Sequence, residues 1–250
     1  MSKPKISIIT VCFNSEKHLE EAIQSVVNQD YENKEYIVID GGSTDGTLGI
    51  IGKYRDKIDY FVSEPDKGIS DAFNKGIMAA TGDLIGILNS DDFMMQGALS
   101  KVAVEYEDGV DVYRGYELLY FPTRNVTKAE YPNNRFGRIP IGNCICHEAA
   151  FLTKEIYKKV GLYRVELKYA MDLDLFMRLY RLNAKHKFIN VCVLTFRVGG
   201  ASSAINGAII KEKRQLVIDN GGNLLDAFIY VCYHRLKQLI KRLVFMVWPK

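Results

Sequence analysis

Two periodicities alternate across the first hundred residues, and this constrains the chain more than any other feature. The stretch 6-ISIITV-11 is a nearly continuous apolar run of the kind buried on both faces of a parallel sheet. Leu19, Ala22, Ile23, Val26 and Val27 then recur at three- and four-residue spacing and predict a helix. The pattern repeats: 35-EYIVI-39 reads as a strand ending at Asp40, 47–54 as a short helix, 60–63 as a strand, 69–80 as a helix closed by Gly82, and 83–88 as the next strand. Such alternation argues for βαβ units and an α/β, Rossmann-like, doubly wound parallel sheet flanked by helices. Sheets of this kind bind ligands at the carboxyl ends of their strands. Asn14, the Asp40 turn, the Asp66–Gly68 loop and the Asp91–Asp92 pair each follow a strand, so all are expected at one edge.

The second half is less regular. Residues 110–121 read as one or two strands and 122–140 as a loop rich in Asn, Arg and Pro. A helix at 154–160 stops at Gly161, and another at 172–182 has Leu173, Phe176, Leu179 and Tyr180 as its buried stripe. At 250 residues the chain suits one large domain or two merged halves. A net charge of +3 is too weak to indicate a nucleic-acid partner. Five cysteines, odd in number and without a paired framework, point to reduced thiols in a cytosolic protein. Cys144, Cys146 and His147 form C-x-C-H, which matches none of the usual zinc spacings. The N-terminal MSKPKISIITVCFN lacks a long apolar stretch and a small-residue cleavage site, so no signal peptide is expected.

Three short stretches carry chemistry. In 82-GDLIGILNSDDFMMQG-97 an apolar strand runs into Asn89, Ser90, Asp91 and Asp92. Adjacent carboxylates repel, so a basic side chain or a metal ion is expected beside them. Hard oxygen ligands suit Mg²⁺ or Mn²⁺, while a polar turn capped by Asn89 or Ser90 explains the pair equally well. The stretch 40-DGGSTDGT-47 is either a tight turn with a Thr44 or Asp45 helix cap, or a place where Asp40 and the bare backbone of Gly41 accept a base and ribose. It matches neither the Rossmann nor the Walker fingerprint. In 169-YAMDLDLFMRL-179, Asp172 and Asp174 cannot share a helix face, and Asp172 lies nearer the mouth. Asp174 is placed to form a surface ion pair with Arg178, and Asp172 reads equally as an ordinary N-cap.

Taken together, 8-IITVCFNSEKHLEEAIQSVVNQDY-31, 38-VIDGGSTDGT-47, 64-EPDKGISDAFNKGIMAATGDLIGILNSDD-92 and 169-YAMDLDLFMRL-179 resemble the family 2 glycosyltransferases in order and spacing. More narrowly they resemble the bacterial branch that builds O-antigen and capsular polysaccharides. The resemblance covers roughly residues 5–200 and implies the GT-A fold and inverting transfer from a nucleotide-sugar. It implies donor contacts at Val11, Phe13, Asn14, Glu16, Asp40, Gly41, Lys67, Asn89, Ser90 and Asp91, and a divalent metal, Mn²⁺ or Mg²⁺, at Asp91 and Asp92. Asp172 matches the catalytic base, and His147 falls on the acceptor side. The segment 196-FRVGGASS-203 falls where relatives place a mobile loop. Two departures stand out. Asn89 replaces the first acid of the metal motif, and Gly41 replaces an Asp that contacts the base in many relatives, leaving Asp40 to serve alone.

The expected layout is a catalytic domain at 1–203, with a nucleotide-sugar half at about 1–100 and an acceptor half at about 101–203, and a helical tail at 204–250. In the tail Leu225, Phe228, Ile229, Cys232, Leu236, Leu239, Ile240 and Leu243 lie on one stripe. Asp226, Tyr230, His234, Lys237 and Lys241 lie opposite, and an FMVW cluster ends it. This suits a helix lying in a membrane interface, or one packed on the protein's own core or on a partner. Charges interrupt it too often for a span. The reading is a transferase that uses a UDP-sugar, with GDP- and dTDP-sugars as the alternatives, and acts on a lipid-linked (polyprenyl-diphosphate) oligosaccharide, peripheral at the cytoplasmic face of a bacterial membrane. The rivals are a nucleotide-sugar-forming nucleotidyltransferase, which would carry a basic glycine-rich loop absent from VCFNSEKHL, and a noncatalytic nucleotide-sugar-binding subunit.

Overall fold

The computed structural model describes residues 3–133, 135, 144–199 and 207–247, with side chains through 233 and at 235 and 236 in the last helix. It divides into two compact units: Met1–Pro132 with Ile145–Ala204, and Asn133–Cys144 with Ile205–Lys250.

The first unit is built on one mixed sheet. Strands β1 (Ile6–Cys12), β2 (Lys34–Asp40), β3 (Tyr60–Ser63) and β4 (Leu84–Asn89) are parallel, in the order β3-β2-β1-β4. Helices α1 (Leu19–Val27), α2 (Thr47–Lys53) and α3 (Ile69–Ala79) connect them. All of β1 is buried, as its unbroken apolar run demands. Helix α3 lies so close to β1 that a Cβ on Gly76 would stand 2.4 Å from Ile9 Cγ2. Helix α3 ends at Ala79, and Ala80 is already extended, so Gly82 lies beyond the helix end that the sequence assigned to it.

Beyond β4 come β5 (Phe93–Met94), α4 (Ala98–Val104), β6 (Val112–Phe121), β7 (Val126–Glu130), β8 (Ala150–Thr153), α5 (Lys154–Val160), α6 (Met171–Arg181) and β9 (His186–Arg197). They extend the sheet as β4-β8-β6-β9-β5, with β7 paired to β6. Strand β8 is antiparallel to both β4 and β6, so the sheet is mixed, with the parallel part at β3-β2-β1-β4. The expected 122–140 loop contains β7, whose VTKAE sequence is mostly exposed and has no apolar alternation to announce a strand. Tyr180 is 48% exposed rather than part of the buried stripe of α6. Asp174 is only 2% exposed, so its 2.8 Å pair with Arg178 is not the surface bridge expected. Arg178 also donates to the carbonyls of Val160 and Leu162, so the pair ties α6 to the end of α5.

At the amino ends of the strands Glu35 accepts from Ser7 Oγ, Thr81 N, Thr81 Oγ1 and Lys5 Nζ. Burial works against its charge, but these donors outweigh it and bring its pKa down to about 2. A depressed folded pKa contributes stability above the unfolded value, and that stability is lost as pH falls from about 4.5 through 2. Unfolding free energies of wild type and Glu35→Gln from urea titration are expected to differ by about 3 kcal/mol near pH 6 and to converge toward pH 2. A gap that does not change with pH would refute the linkage.

The second unit contains α7 (Gly207–Asp219) and α8 (Leu224–Val247). Asn223 and Asp226 cap α8 reciprocally, each side chain accepting from the other's backbone N–H at 2.9 Å. Ala227 and Tyr230 pack on Val217 of α7. Leu225, Phe228 and Leu236 are each more than half exposed, so the helix turns Tyr230 inward and leaves the apolar stripe outward. No described helix is long and apolar enough to cross a membrane. The tail side chains from 237 onward and residues 200–206, which hold most of the GGASS loop, lie outside the described residues.

Candidate active site

The loops after β1, β2 and β4 are laced together at the carboxyl edge of the sheet. Asn14 takes a left-handed conformation (φ 48°), donates its N–H to Ser43 Oγ at 2.8 Å and accepts from Thr44 N at 2.9 Å. Glu16 accepts from Gly46 N at 2.7 Å. Ser15 and Ser90 share a hydroxyl–hydroxyl bond of 2.9 Å, which joins the tips of β1 and β4. Val11 is buried, whereas Phe13 is 61% exposed and Lys67 is also exposed.

Asp40 is fully buried and accepts from the backbones of Gly42 and Ser43 and the hydroxyls of Ser43 and Ser63. Burial opposes its charge, yet these donors keep its carboxyl below the usual range. Its side chain therefore holds the turn together. What stands over the bare backbone of Gly41 is Asp66, from the loop after β3.

At the tip of β4 the two adjacent aspartates have different surroundings. Asp91 is half-buried. Asp92 is 1% exposed, and its Oδ1 accepts from Arg197 N at 2.5 Å. The Arg197 guanidinium donates to the Asp91 carbonyl at 2.7 Å and to Glu21 at 2.9 Å. Arg197, 105 residues away from Asp92, thus lies beside the pair, but it reaches Asp92 through its neutral backbone N–H and Asp91 through the main-chain carbonyl. Asn89 donates both its N–H and its side-chain amide to buried Glu148. Burial and the neighbouring Asp92 charge push the Glu148 carboxyl well up, and burial and the Asp91 charge bring Asp92 to about 7.

Among the described residues no group of three or more His, Cys, Asp or Glu side chains is arranged to hold a metal ion. The donors that fit one are fewer and hard: the Asp91 carboxylate and the Asn89 amide oxygen, which has no hydrogen-bond partner. Mg²⁺ and Mn²⁺ commonly take one or two protein oxygens and complete their shell with phosphate and water, so this set is chemically compatible.

The short 3-10 turn His147–Ala149 packs against this tip through the Glu148–Asn89 bonds. Cys146 precedes it in the left-handed region and contacts the Glu130 carbonyl. His147 packs edge-on against Phe73 at 6.3 Å, and its Nε2 has no hydrogen-bond partner. Burial lowers its pKa, and the nearby Asp172 charge partly offsets this. Asp172, in the first turn of α6, accepts from Leu173 N through Oδ1 at 2.7 Å and is half-buried, unlike enclosed Asp174. Asn74 of α3 clamps the approach to α6, donating to Tyr163 O at 2.8 Å and accepting from Tyr163 N at 2.9 Å. Sequence reasoning missed Glu148, Arg197 and Asn74, because each acts on a segment distant in the chain.

The same arrangement of elements occurs in known proteins. TarS of S. aureus in complex with UDP superimposes with a TM-score of 0.67 at 23% identity, over 89% of this chain and 68% of that one. The mannosyltransferase PcManGT of Pyrobaculum calidifontis, in complex with GDP-Man and Mn²⁺, gives 0.64 at 16% identity, over 92% and 70%. The fold is therefore GT-A. A glycosyltransferase of Rickettsia typhi is 33% identical over 196 residues, which are 72% of this chain and 60% of the relative's own length. The GalNAc(5)-diNAcBac-PP-undecaprenol beta-1,3-glucosyltransferase of Campylobacter jejuni is 36% identical over 110 residues, 42% of this chain and 36% of that enzyme. The model of glycosyl transferase family 2 matches residues 7–161, well over half of the 250, and this chain belongs to that family.

Proposed function

We propose that this protein transfers a sugar, with inversion, from a UDP-sugar to a polyprenyl-diphosphate-linked saccharide during the building of a bacterial surface polysaccharide such as O-antigen or capsule. The observation that carries the reading is the 3-10 turn His147–Ala149. Its Glu148 is bonded to Asn89 at the tip of β4, and its His147 lies beside Asp172. One element thus bonds the donor edge and carries a histidine that feels the charge of the base. The neighbours bound to UDP and GDP-Man support a nucleotide-sugar donor, and the Campylobacter relative supports a lipid-linked acceptor.

In this reading residues 1–203 are the catalytic unit, with the donor half before about residue 100 and the acceptor half after it. Asp172 Oδ2 takes the proton of the acceptor hydroxyl, because Oδ1 is held by the Leu173 N–H. The acceptor oxygen bonds to the anomeric carbon from the face opposite the diphosphate. The bond from that carbon to the diphosphate oxygen breaks, and UDP leaves with the electron pair. His147 borders the acceptor side. Asp91 and the Asn89 amide oxygen would hold a divalent metal, with Asp92 behind them as the buried support. When bound, such an ion neutralises charge on the leaving diphosphate.

The protein works at the cytoplasmic face of the membrane, with residues 204–250 lying in the interface. The outward stripe of Leu225, Phe228 and Leu236, followed by the basic 237–242 segment, supports this placement. Vesicles containing phosphatidylglycerol are expected to carry the protein up a flotation gradient, and the double variant Leu225→Ser, Phe228→Ser should stay at the bottom. Equal flotation of both would remove the anchor. The activity itself is tested by offering UDP-sugars with a polyprenyl-diphosphate saccharide and reading the anomeric configuration of the product by NMR. Inverted product supports the proposal; retained configuration, or nucleotide release that no acceptor accelerates, rejects it.

A further inference from the structure

We infer that Glu148 is a positioning residue of the metal site: it engages the amino end of the Asn89 amide and so turns the oxygen of that amide toward the divalent ion. This rests on the metal reading above, and it supplies, from the turn before β8, an acid that the tip of β4 lacks at residue 89.

The pairing of β4 with β8 sets the two residues against each other. In that antiparallel register Gly86 is opposite Phe151, and the same register carried three residues further, forward along β4 and backward from β8, leads to Asn89 and Glu148. A Cβ on Gly86 would stand 2.7 Å from the Phe151 ring, so the bare glycine admits the side chain that seats β8 on β4. Left-handed Cys146 (φ 46°) brings the chain into the 3-10 turn.

Glu148 is 1% exposed and turns both oxygens to one residue. Its Oε2 accepts from the Asn89 backbone N–H at 3.1 Å, and its Oε1 accepts from the Asn89 side-chain amide. The carboxyl also meets Asp92, whose Oδ2 has no other hydrogen-bond partner. A proton carried by Glu148 is therefore given to Asp92, and both bonds with Asn89 keep their direction. With Nδ2 engaged, the amide has only its oxygen left, and this Oδ1 is buried without a partner. Buried acceptors are almost always bonded, so an orphaned one at a strand tip is an acceptor kept for a group that arrives later. The reversed amide would set two acceptor oxygens face to face and aim an N–H₂ group at the cation. An aspartate at residue 89 would likewise turn one oxygen on Glu148. Asn89 and Glu148 are thus a matched pair.

The test is calorimetric titration of UDP, with Mn²⁺ or with a chelator, into wild type, Glu148→Gln, Asn89→Asp and the double variant. Glutamine has one acceptor oxygen. The fixed backbone N–H of Asn89 takes it, so the new amide N–H₂ faces the Asn89 side chain and turns its oxygen inward. Glu148→Gln is therefore expected to weaken Mn²⁺-dependent binding of UDP about 10–100-fold, the usual effect of losing a group that orients a metal ligand. Binding in chelator should not change. In the double variant the new glutamine donates to the new aspartate, which keeps one oxygen for the ion. Its Mn²⁺-dependent binding should return toward wild type and exceed that of either single variant. A Glu148→Gln variant that binds as wild type does, or a double variant no better than the single ones, overturns the inference and leaves the metal reading standing. If Glu148→Gln shows no melting transition, the double variant against Asn89→Asp decides. Wild type in which Mn²⁺ does not alter UDP binding removes both.

Discussion

Asp172→Asn is expected to lower turnover by about 10²–10⁴-fold, the usual contribution of a positioned general base. Donor affinity should change little, because Asp172 lies at the start of α6 rather than on the strand tips that carry the nucleotide loops. Asn preserves the Leu173 N–H bond through its own oxygen, so the first turn of α6 should keep its geometry. What the variant lacks is a carboxylate oxygen that can accept a proton. Single-turnover kinetics with saturating donor and acceptor would separate the chemical step from binding. Turnover within a few-fold of wild type would remove Asp172 from the mechanism. Asp174 would be a poor replacement, since it is enclosed and paired with Arg178.

Asp91→Ala should abolish Mn²⁺-dependent binding of UDP and reduce turnover by at least about a hundredfold, because metal stabilisation of a leaving diphosphate is worth several kcal/mol. Adding a chelator to wild type should reproduce most of that loss. Asp92→Asn provides the contrast. Its carboxylate contacts Arg197 N and the buried Glu148 region, so this variant should act chiefly on stability, by about 1–2 kcal/mol in the unfolding free energy from urea titration. Metal-dependent binding should persist in it. Should Asp91→Ala bind UDP as wild type does, in the presence and absence of chelator, Asp91 has no metal role. Should Asp92→Asn lose metal-dependent binding while remaining folded, the roles of the two aspartates are exchanged.

Much of the first hundred residues was legible because its signals are local. The unbroken apolar run of β1, the helical spacing of Leu19, Ala22, Ile23 and Val26, and the glycine after α5 each express a preference of a few neighbouring residues. The strand-end rule then placed the loops at one edge without a single long-range contact being known. Strands β7, β8 and β9 were not legible in the same way. Exposed VTKAE becomes a strand because β6 offers it an edge, and β8 inserts antiparallel between β4 and β6 for the same reason.

What the sequence determined by itself is the alternating framework, the family, and the list of polar residues at the strand ends, since these depend on short-range periodicity and motif spacing. Tertiary structure alone decided how those residues are used. It closed Asp40 into its own turn, buried Asp92 against the backbone of Arg197, and brought Asp66 over Gly41. Each outcome depends on a group from another loop supplying a hydrogen bond, a charge or a volume. Such partners meet only when the sheet brings distant strand ends together, so no local pattern can name them.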